Sequence, residues 1–486
     1  MTDHDDRAVL LLGLDVGSTT TSALLVRARL VAHGVTGRMQ FDDARVVFRA
    51  EPAFTPFADD EALDLDALDA LFDGWLREAG VDGAALFAGG AIVTGLAAQR
   101  RNAGALRARI RSRIGDAVIA TADDPRLESW VAFMGACAPL SRAFPDVRFL
   151  NLDIGGGTTN AALGADGHVL ATACHFIGAR HVRVAPGTQR VLAVSKHAAR
   201  IAAALGLALA PGRDLDRHTL ARFVNWQVRT LEAIVTDERG WFAIPPGDAI
   251  VQAAFEPAAC GAEPADTPRI TFSGGVGELV YALAQREPAP ATARWGDLGI
   301  ELARAIVASP ILAADLATHV PEHRGRATVH GLTLHHTEVS GSTLHLPASL
   351  ALPLQDLPVV ARLPHDADRD AIAAAVAVAA RCPEGACVQW LQAAPGPVAA
   401  ARVRAFAADL RAVLDSRLTS QSDTPAPLVL LVAHDCAKAL GNDASRWGRT
   451  HRHLAVIDEI PDRRAHFVHV GRARDGLVPL AFHGFL

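Results

Sequence analysis

Phe149-Leu150-Asn151-Leu152-Asp153-Ile154-Gly155-Gly156-Gly157-Thr158-Thr159-Asn160 reads as an apolar strand that runs into a carboxylate, turns on three glycines and opens a second strand with hydroxyl residues. Consecutive glycines free the backbone of Cβ atoms, so several peptide N–H groups can converge on one anion at close range. Phosphate suits such a nest, and Asp153 at the strand end is placed to hold a hydrated divalent cation, Mg²⁺, against it. An isolated Gly-Gly-Gly could equally be a slack turn with no ligand. The chain, however, carries the pattern twice. Leu14-Asp15-Val16-Gly17-Ser18-Thr19-Thr20-Thr21-Ser22-Ala23-Leu24-Leu25 aligns without a gap on Leu152 to Leu163, at an offset of 138 residues from Asp15 to Asp153. An internal repeat of a strand, turn and strand unit follows. Facing hairpins of this kind clamp a polyphosphate from both sides, Gly17, Ser18, Thr19 and Thr20 on one and Gly155, Gly156, Gly157 and Thr158 on the other.

A third element lies further on. Arg269-Ile270-Thr271-Phe272-Ser273-Gly274-Gly275-Val276-Gly277-Glu278 is a strand that meets a helix at a glycine turn. Bare backbone at Gly274, Gly275 and Gly277 lets a flat ring lie close, and a helix N-terminus favours negative charge. The spacing is neither Gly-x-Gly-x-x-Gly nor a Walker Gly-Lys-Ser/Thr. Taken alone it is also compatible with a plain tight turn; after two phosphate hairpins it is the expected adenosine site.

Composition bounds the rest. The chain has 486 residues, 50% hydrophobic and 21% charged, which points to several folded domains rather than disorder. A net charge of −6 gives no general attraction for nucleic acid. No signal peptide and no membrane span are read, and a cytoplasmic setting is expected. The cysteines are scattered; only Cys382 and Cys387 are near one another, which favours reduced thiols. His335-His336, in a stretch read as extended, and His451-Arg452-His453 are read as solvated or hydrogen-bonded, since no carboxylate or third ligand accompanies them.

Along the chain, strands alternate with helices, the signature of α/β layers. Helices are expected over Asp60–Ala79, over the arginine-rich Ala97–Ile114, from Leu127 to about Ala138, and over Asp216–Ile234, Asp366–Arg381 and Pro397–Leu418. The basic helix is read as a solvated outer face, with nucleic acid as the weaker alternative. Glu256–Pro268 is read as a surface loop, Thr333–Leu354 as extended and turn-rich, and Thr419–Pro427 as a polar linker.

The ordered set Asp15-x-Gly17-Ser18-Thr19-Thr20, Asp153-x-Gly155-Gly156-Gly157-Thr158 and Ser273-Gly274-Gly275-Val276-Gly277 resembles the phosphate-1, phosphate-2 and adenosine motifs of the actin, sugar-kinase and heat-shock-chaperone ATPase superfamily. That resemblance implies an α/β fold of duplicated actin-like (ribonuclease H-like) ATPase domains around a nucleotide cleft. The expected division is 1–145, 146–345 and an additional C-terminal α/β unit, 346–486. Nearly the whole chain is also similar to the reactivating-factor family of ethanolamine ammonia-lyase. The similarity runs through Thr94-Gly95, Arg101-Asn102-Ala103, Leu127-Glu128-Ser129, Leu150–Gly157, Thr172-Ala173-Cys174, Ser273–Glu278, Ser340–Thr343, Leu352–Val359, Lys438–Gly441 and Leu454–Glu459. It departs from that family at Leu96, at Ala179, at Val329-His330-Gly331-Leu332 where a glycine-rich turn is expected, and at Ala433–Ala437. These departures spare the three nucleotide motifs and fall on the outer wall of the pocket.

The resemblance implies an ATP- and Mg²⁺-dependent chaperone that releases damaged cobalamin from an adenosylcobalamin-dependent ethanolamine ammonia-lyase, in the cytoplasm or beside a bacterial microcompartment. Asp15 and Asp153 are then the Mg²⁺-water ligands, one of them also orienting the attacking water. Glu128 is a candidate for positioning water, or else a helix N-terminal carboxylate favoured by the dipole. Two readings on the same fold stay open, a small-molecule kinase and an actin-like filament or scaffold protein.

Overall fold

The computed structural model describes residues 8–32, 38–59, 61–113, 118–122, 125–255, 267–288, 293–335, 337–341, 343–392, 398–417 and 426–485. The first hairpin is made by β1 (Ala8–Val16) and β2 (Thr20–Ala32), which set Leu14 opposite Ala23 and Asp15 opposite Ser22. β3 (Met39–Arg49) and β4 (Ala53–Phe54) pair with β2. On the other side of β1, β5 (Ala88–Val93) runs parallel to it and β6 (Val118–Ala122) parallel to β5, giving the order β3-β2-β1-β5-β6.

Helix α1 (Leu65–Glu78) starts later than Asp60 because the Asp64 carboxylate caps it, accepting the Ala67 N–H at 3.0 Å. Its Leu68, Phe72 and Trp75 pack with Leu12 and Leu14 of β1. The single basic helix expected over Ala97–Ile114 is two helices, α2 (Gly95–Ala98) and α3 (Ala103–Arg113), with Ile114 outside the described residues. Asn102 makes the break: its side chain turns to the backbone of Leu63, accepting from the N–H at 3.0 Å and donating to the carbonyl at 2.8 Å. Arg109 pairs with Asp66 and Asp69 of α1 at 2.6 and 2.7 Å, and Arg113 with Asp73 at 2.8 Å. The acidic helix thus neutralises the basic one, and these arginines are committed within the fold.

The chain crosses to the second sheet through α4 (Pro125–Ala132), a π-helical turn at Phe133–Cys137 and α5 (Ala138–Ala143). There β7 (Phe149–Ile154) and β8 (Thr159–Ala165) set Leu152 opposite Ala161 and Asp153 opposite Asn160, the register of the first hairpin displaced by the repeat offset. β9 (His168–His175) follows, then a ribbon of β10 (Val182–Val184) and β11 (Val191–Val194), α6 (Lys196–Leu205) and α7 (Arg217–Val235). Asp216 caps α7, its carboxylate accepting the Thr219 N–H at 2.9 Å, so the helix begins one residue inside the expected span. β12 (Val251–Ala253) and β13 (Arg269–Ser273) complete the order β12-β9-β8-β7-β13, with β13 parallel to β7. Residues 256–266 of the expected loop lie outside the described residues. α8 (Gly274–Ala284) and α9 (Gly299–Ala308) close this unit over a core that joins Ile154 and Phe272 to Phe223 and Leu231. In both sheets a three-strand meander gains a parallel strand beside its first strand, so the duplicated actin-like α/β architecture stands.

The stretch expected to turn at Val329–Leu332 and then run extended is instead helix α10 (Ala327–His335). Glycine explains it: a Cβ on Gly331 would lie 1.8 Å from the Val131 carbonyl oxygen, and one on Gly135 1.9 Å from that of Ala327. Two backbones touch there, and burial of α10 between elements holds a β-branched, glycine-containing segment helical. His335 is therefore the last residue of a helix, half-buried, and His336 lies outside the described residues. β14 (Thr337–Val339), β15 (Leu354–Leu363), α11 (Arg369–Ala379), β16 (Ala386–Trp390), α12 (Ala400–Arg417), β17 (Leu428–Val432), α13 (Ala437–Ala444), β18 (Leu454–Ile457), β19 (Ala465–Val470) and β20 (Pro479–Phe485) follow. They form a seven-stranded sheet in the order β14-β20-β19-β15-β16-β17-β18, parallel from β15 to β18. Most of the expected linker lies outside the described residues. Cys137, Cys174, Cys382, Cys387 and Cys436 are free thiols. Among the described residues, no helix is long and apolar enough to cross a membrane.

Candidate functional site

The two glycine hairpins face each other. Each closes on the same bond, Gly17 N–H to the Thr20 carbonyl at 2.9 Å and Gly155 N–H to the Thr158 carbonyl at 3.0 Å. They approach so closely that a Cβ on Gly156 would stand 2.3 Å from Thr19 Oγ1. A third segment joins them, for a Cβ on Gly95 would meet Ser18 Oγ at 2.4 Å and Gly157 Cα at 3.6 Å. Gly95 takes φ +56, a conformation that glycine adopts without strain. Ser18, Gly157 and Thr158 are buried at this contact, while Thr20 is exposed at the rim.

Between the hairpins stand three carboxylates. Burial, then the charge of Asp153, pushes Asp15 up to about 7, against a hydrogen bond from Thr94, whose hydroxyl lies 3.4 Å from Asp15 Oδ1. Burial pushes Asp153 up to about 6, opposed by Ser273, which donates to its Oδ1 at 2.6 Å, and by Asn160. Glu128, in the first turn of α4, is held well above the ordinary range by burial and by both aspartates. The structure thus brings all three predicted acids together. Glu128 thus fits both readings, a carboxylate in the first turn of α4 and a group that the charges of Asp15 and Asp153 reach. Thr94, Asn160 and Ser273 complete it as polar neighbours of the acids. Ser273 stood within a recognised motif; Asn160 was legible only through its place opposite Asp153, and Thr94 only through the family resemblance.

The donor set fits a hydrated divalent cation bound to phosphate. Carboxylates that repel one another are neutralised by such an ion. Two buried polar atoms beside them, Thr19 Oγ1 and Asn160 Oδ1, have no hydrogen-bond partner among the described residues, and they could supply a donor for a phosphate oxygen and an acceptor for a metal-bound water.

The third motif divides. Gly274 has φ +78, and a Cβ there would lie 2.6 Å from the Ile154 carbonyl oxygen. Gly275 is exposed with nothing within 4 Å of a would-be Cβ, the bare surface a ring needs. Gly277 is turned inward, a Cβ there meeting Phe272 C at 3.0 Å, so it serves helix-to-strand packing. Ala179 is buried and donates its N–H to the Gly155 carbonyl at 3.1 Å, so the departure at this position keeps the hairpin braced. His181 braces it from behind. The Gly157 carbonyl, 2.9 Å from His181 Nε2, can only accept, so Nε2 carries the proton and Nδ1 accepts from Ser195 Oγ at 2.8 Å. Ser195 in turn caps α6, accepting the Ala198 N–H at 3.1 Å.

Of the histidines read as solvated or hydrogen-bonded, His451 is hydrogen-bonded but not at the surface. His451 is buried and its Nε2 lies 2.8 Å from Asp415 Oδ1, a carboxylate partner not anticipated. On the third sheet, His469 and His483 converge on Asp356 Oδ1, at 3.6 and 3.2 Å. The Asp356 N–H donates to His469 Nδ1 at 2.9 Å, which puts the neutral ring's proton on Nε2, the atom a metal would need bare. The trio is thus a charge network, and Arg111 of α3 ties it to the first sheet's unit through Asp356 Oδ2 at 3.1 Å.

Known proteins match along almost the whole length. An Escherichia coli (strain K12) protein named ethanolamine ammonia-lyase reactivase EutA is 31% identical over 472 residues, 96% of this chain and 95% of its own. A Salmonella typhimurium protein of the same name is 30% identical over 481 residues, again 96% and 95%. A solved exopolyphosphatase from Cytophaga hutchinsonii is similar at a TM-score of 0.38 and 13% identity, covering 66% of this chain and 96% of that one. The family described as ethanolamine utilisation protein EutA matches residues 7–483: the chain belongs to this family.

Proposed function

We propose that this protein is an ATP-dependent reactivating chaperone for adenosylcobalamin-dependent ethanolamine ammonia-lyase, releasing damaged cobalamin so that intact cofactor can bind. The observation that carries the reading is the pair of matched hairpins around three carboxylates, in a chain alike from end to end to proteins named as reactivases.

Asp15 and Asp153 would hold Mg²⁺ through water, and Glu128, whose carboxyl burial and both aspartates raise, would orient the attacking water. Backbone N–H groups of Gly156–Thr158 and the hydroxyls of Ser18, Thr19 and Thr20 would bind phosphate oxygens, the Gly155 N–H being spent on closing the hairpin; Gly274 and Gly275 offer their bare backbone to adenosine. When bound, Mg²⁺ supplies charge neutralisation for carboxylates and phosphates, and hydrolysis is then mostly positioning. Because the hairpins belong to different sheets, a ligand bridging them favours the closed arrangement, and that preference is the free energy available for work on a partner. A cytoplasmic setting, including one beside a bacterial microcompartment, suits this reading.

The test is recovery of ethanolamine ammonia-lyase blocked with hydroxocobalamin, on adding this protein, ATP, Mg²⁺ and fresh adenosylcobalamin. Recovery that requires every addition supports the proposal. No recovery by a sample that binds ATP rejects the chaperone role and leaves the nucleotide site.

A further inference from the structure

The cleft has an unbalanced charge. Three carboxylates face one another there, and the hairpins at 15–20 and 153–158 contain no lysine or arginine. A triphosphate brought to the same place adds several negative charges, more than one divalent cation offsets. A fixed cation should therefore stand beside the hairpins.

Arg180 stands there. Its backbone is fastened to the second hairpin, its N–H donating to the Gly156 carbonyl at 2.6 Å, one residue after the Ala179 bond to Gly155. A Cβ on Gly156 would touch three things: Thr19 Oγ1 at 2.3 Å, Ser18 Cβ at 3.2 Å and Arg180 Cβ at 3.3 Å. Arg180 thus springs from the point where the two hairpins meet, within one arginine side-chain length of the unpartnered Thr19 hydroxyl. Among the described residues its guanidinium makes no hydrogen bond and no ion pair, although it is partly buried. Asp297, the carboxylate it feels most, is already engaged by the Gly299 N–H at 3.0 Å. Arg183 and Arg100, the latter on the far side of the cleft, disfavour its charge further, so an anion at this point would relieve both. An anchored backbone with an uncommitted planar fork is a preorganised phosphate receptor.

We propose that Arg180 contacts the terminal phosphate of a nucleoside triphosphate bound between the hairpins, and so distinguishes the triphosphate from the diphosphate. This inference rests on the nucleotide reading above. Arg180 senses the group whose loss reopens the cleft, and Arg100 reinforces it from the other sheet's unit.

The experiment is titration calorimetry of the full-length protein with ATP and with ADP, each with Mg²⁺, for wild type, R180A and R180K. R180A should weaken ATP about tenfold to a hundredfold, the range for a hydrogen bond to a charged group, and leave ADP within about threefold. R180K, which keeps the charge and loses the fork, should fall between. A melting temperature close to that of wild type accompanies these results, because among the described residues the guanidinium makes no hydrogen bond or ion pair in the fold. Equal losses for ATP and ADP, or no loss in a protein whose wild type binds ATP, overturn the role of Arg180 alone. A wild type that binds neither nucleotide overturns the nucleotide reading and this inference together.

Discussion

Asp153→Asn should make the protein more stable while abolishing its use of Mg·ATP. Asp153 is only 5% exposed, so solvent screening takes little from the cost of its charge. Its carboxyl is pushed up from 3.8 to about 6 by burial, with Ser273 and Asn160 opposing. Between those two values the native state holds a proton that the unfolded chain has lost, so stability falls as pH rises through this window. Against the unfolded value, the charged group costs the native state on the order of 3 kcal/mol at pH 8 and roughly half that at pH 5. Asparagine does not titrate, and its oxygen still accepts from Ser273. The variant's advantage should therefore be larger at pH 8 than at pH 5 by on the order of 1 kcal/mol. Urea midpoints of both proteins at pH 5 and pH 8, with EDTA, measure this directly. ATP hydrolysis on the same samples should disappear in the variant. A gain of equal size at both pH values, or none at pH 8, would refute the claim that a desolvated carboxylate is kept here for a cation.

Other substitutions separate the parts of the site. Gly275→Val, with nothing within 4 Å of its Cβ, should leave melting unchanged and weaken ATP by tenfold or more through loss of bare backbone, read by calorimetry; unaltered affinity would exclude the adenosine role. His181→Leu removes the donor to Gly157 and strands a buried carbonyl, at about 1–3 kcal/mol. His181→Gln, able to donate from the same region, should recover most of the ATP affinity; equal loss in both would make the residue a packing element only. Gly331→Ala forces a Cβ to 1.8 Å from the Val131 carbonyl oxygen and should lower stability by about 1–3 kcal/mol, more if the helices cannot part. A variant that melts like wild type would show that α10 is free to move away from α4.

What could be read in advance was local. The repeat beginning at Asp15 and Asp153 was legible because hydrogen bonding, hydroxyl placement and glycine turns are set within a dozen residues, and the two hairpins match bond for bond. Helix ends at Asp64 and Asp216 differ from expectation by the caps, whose carboxylates decide where a helix starts whatever the apolar spacing suggests. The break at Asn102 was hidden, since it depends on the backbone of Leu63, far away in the chain. Glu128 could be named from its motif, but its place beside Asp15 and Asp153 needed three elements to meet.

Helix α10 shows the limit most clearly. Val329, Thr333 and a central Gly331 argue against a helix by propensity, and His335 adds nothing in its favour. Burial reverses this preference, because glycine is what lets the α10 backbone lie against Val131 and the backbone at Gly135. The same helix touches β1, which carries Asp15 at its end, and continues into β14, which pairs with β20 of the third sheet. A close backbone contact transmits displacement better than a layer of flexible side chains, since it has no rotamers to absorb it. The feature least visible in the sequence therefore lies between the strand that carries Asp15 and the third sheet, one of several contacts that join them, Arg111 with Asp356 being another.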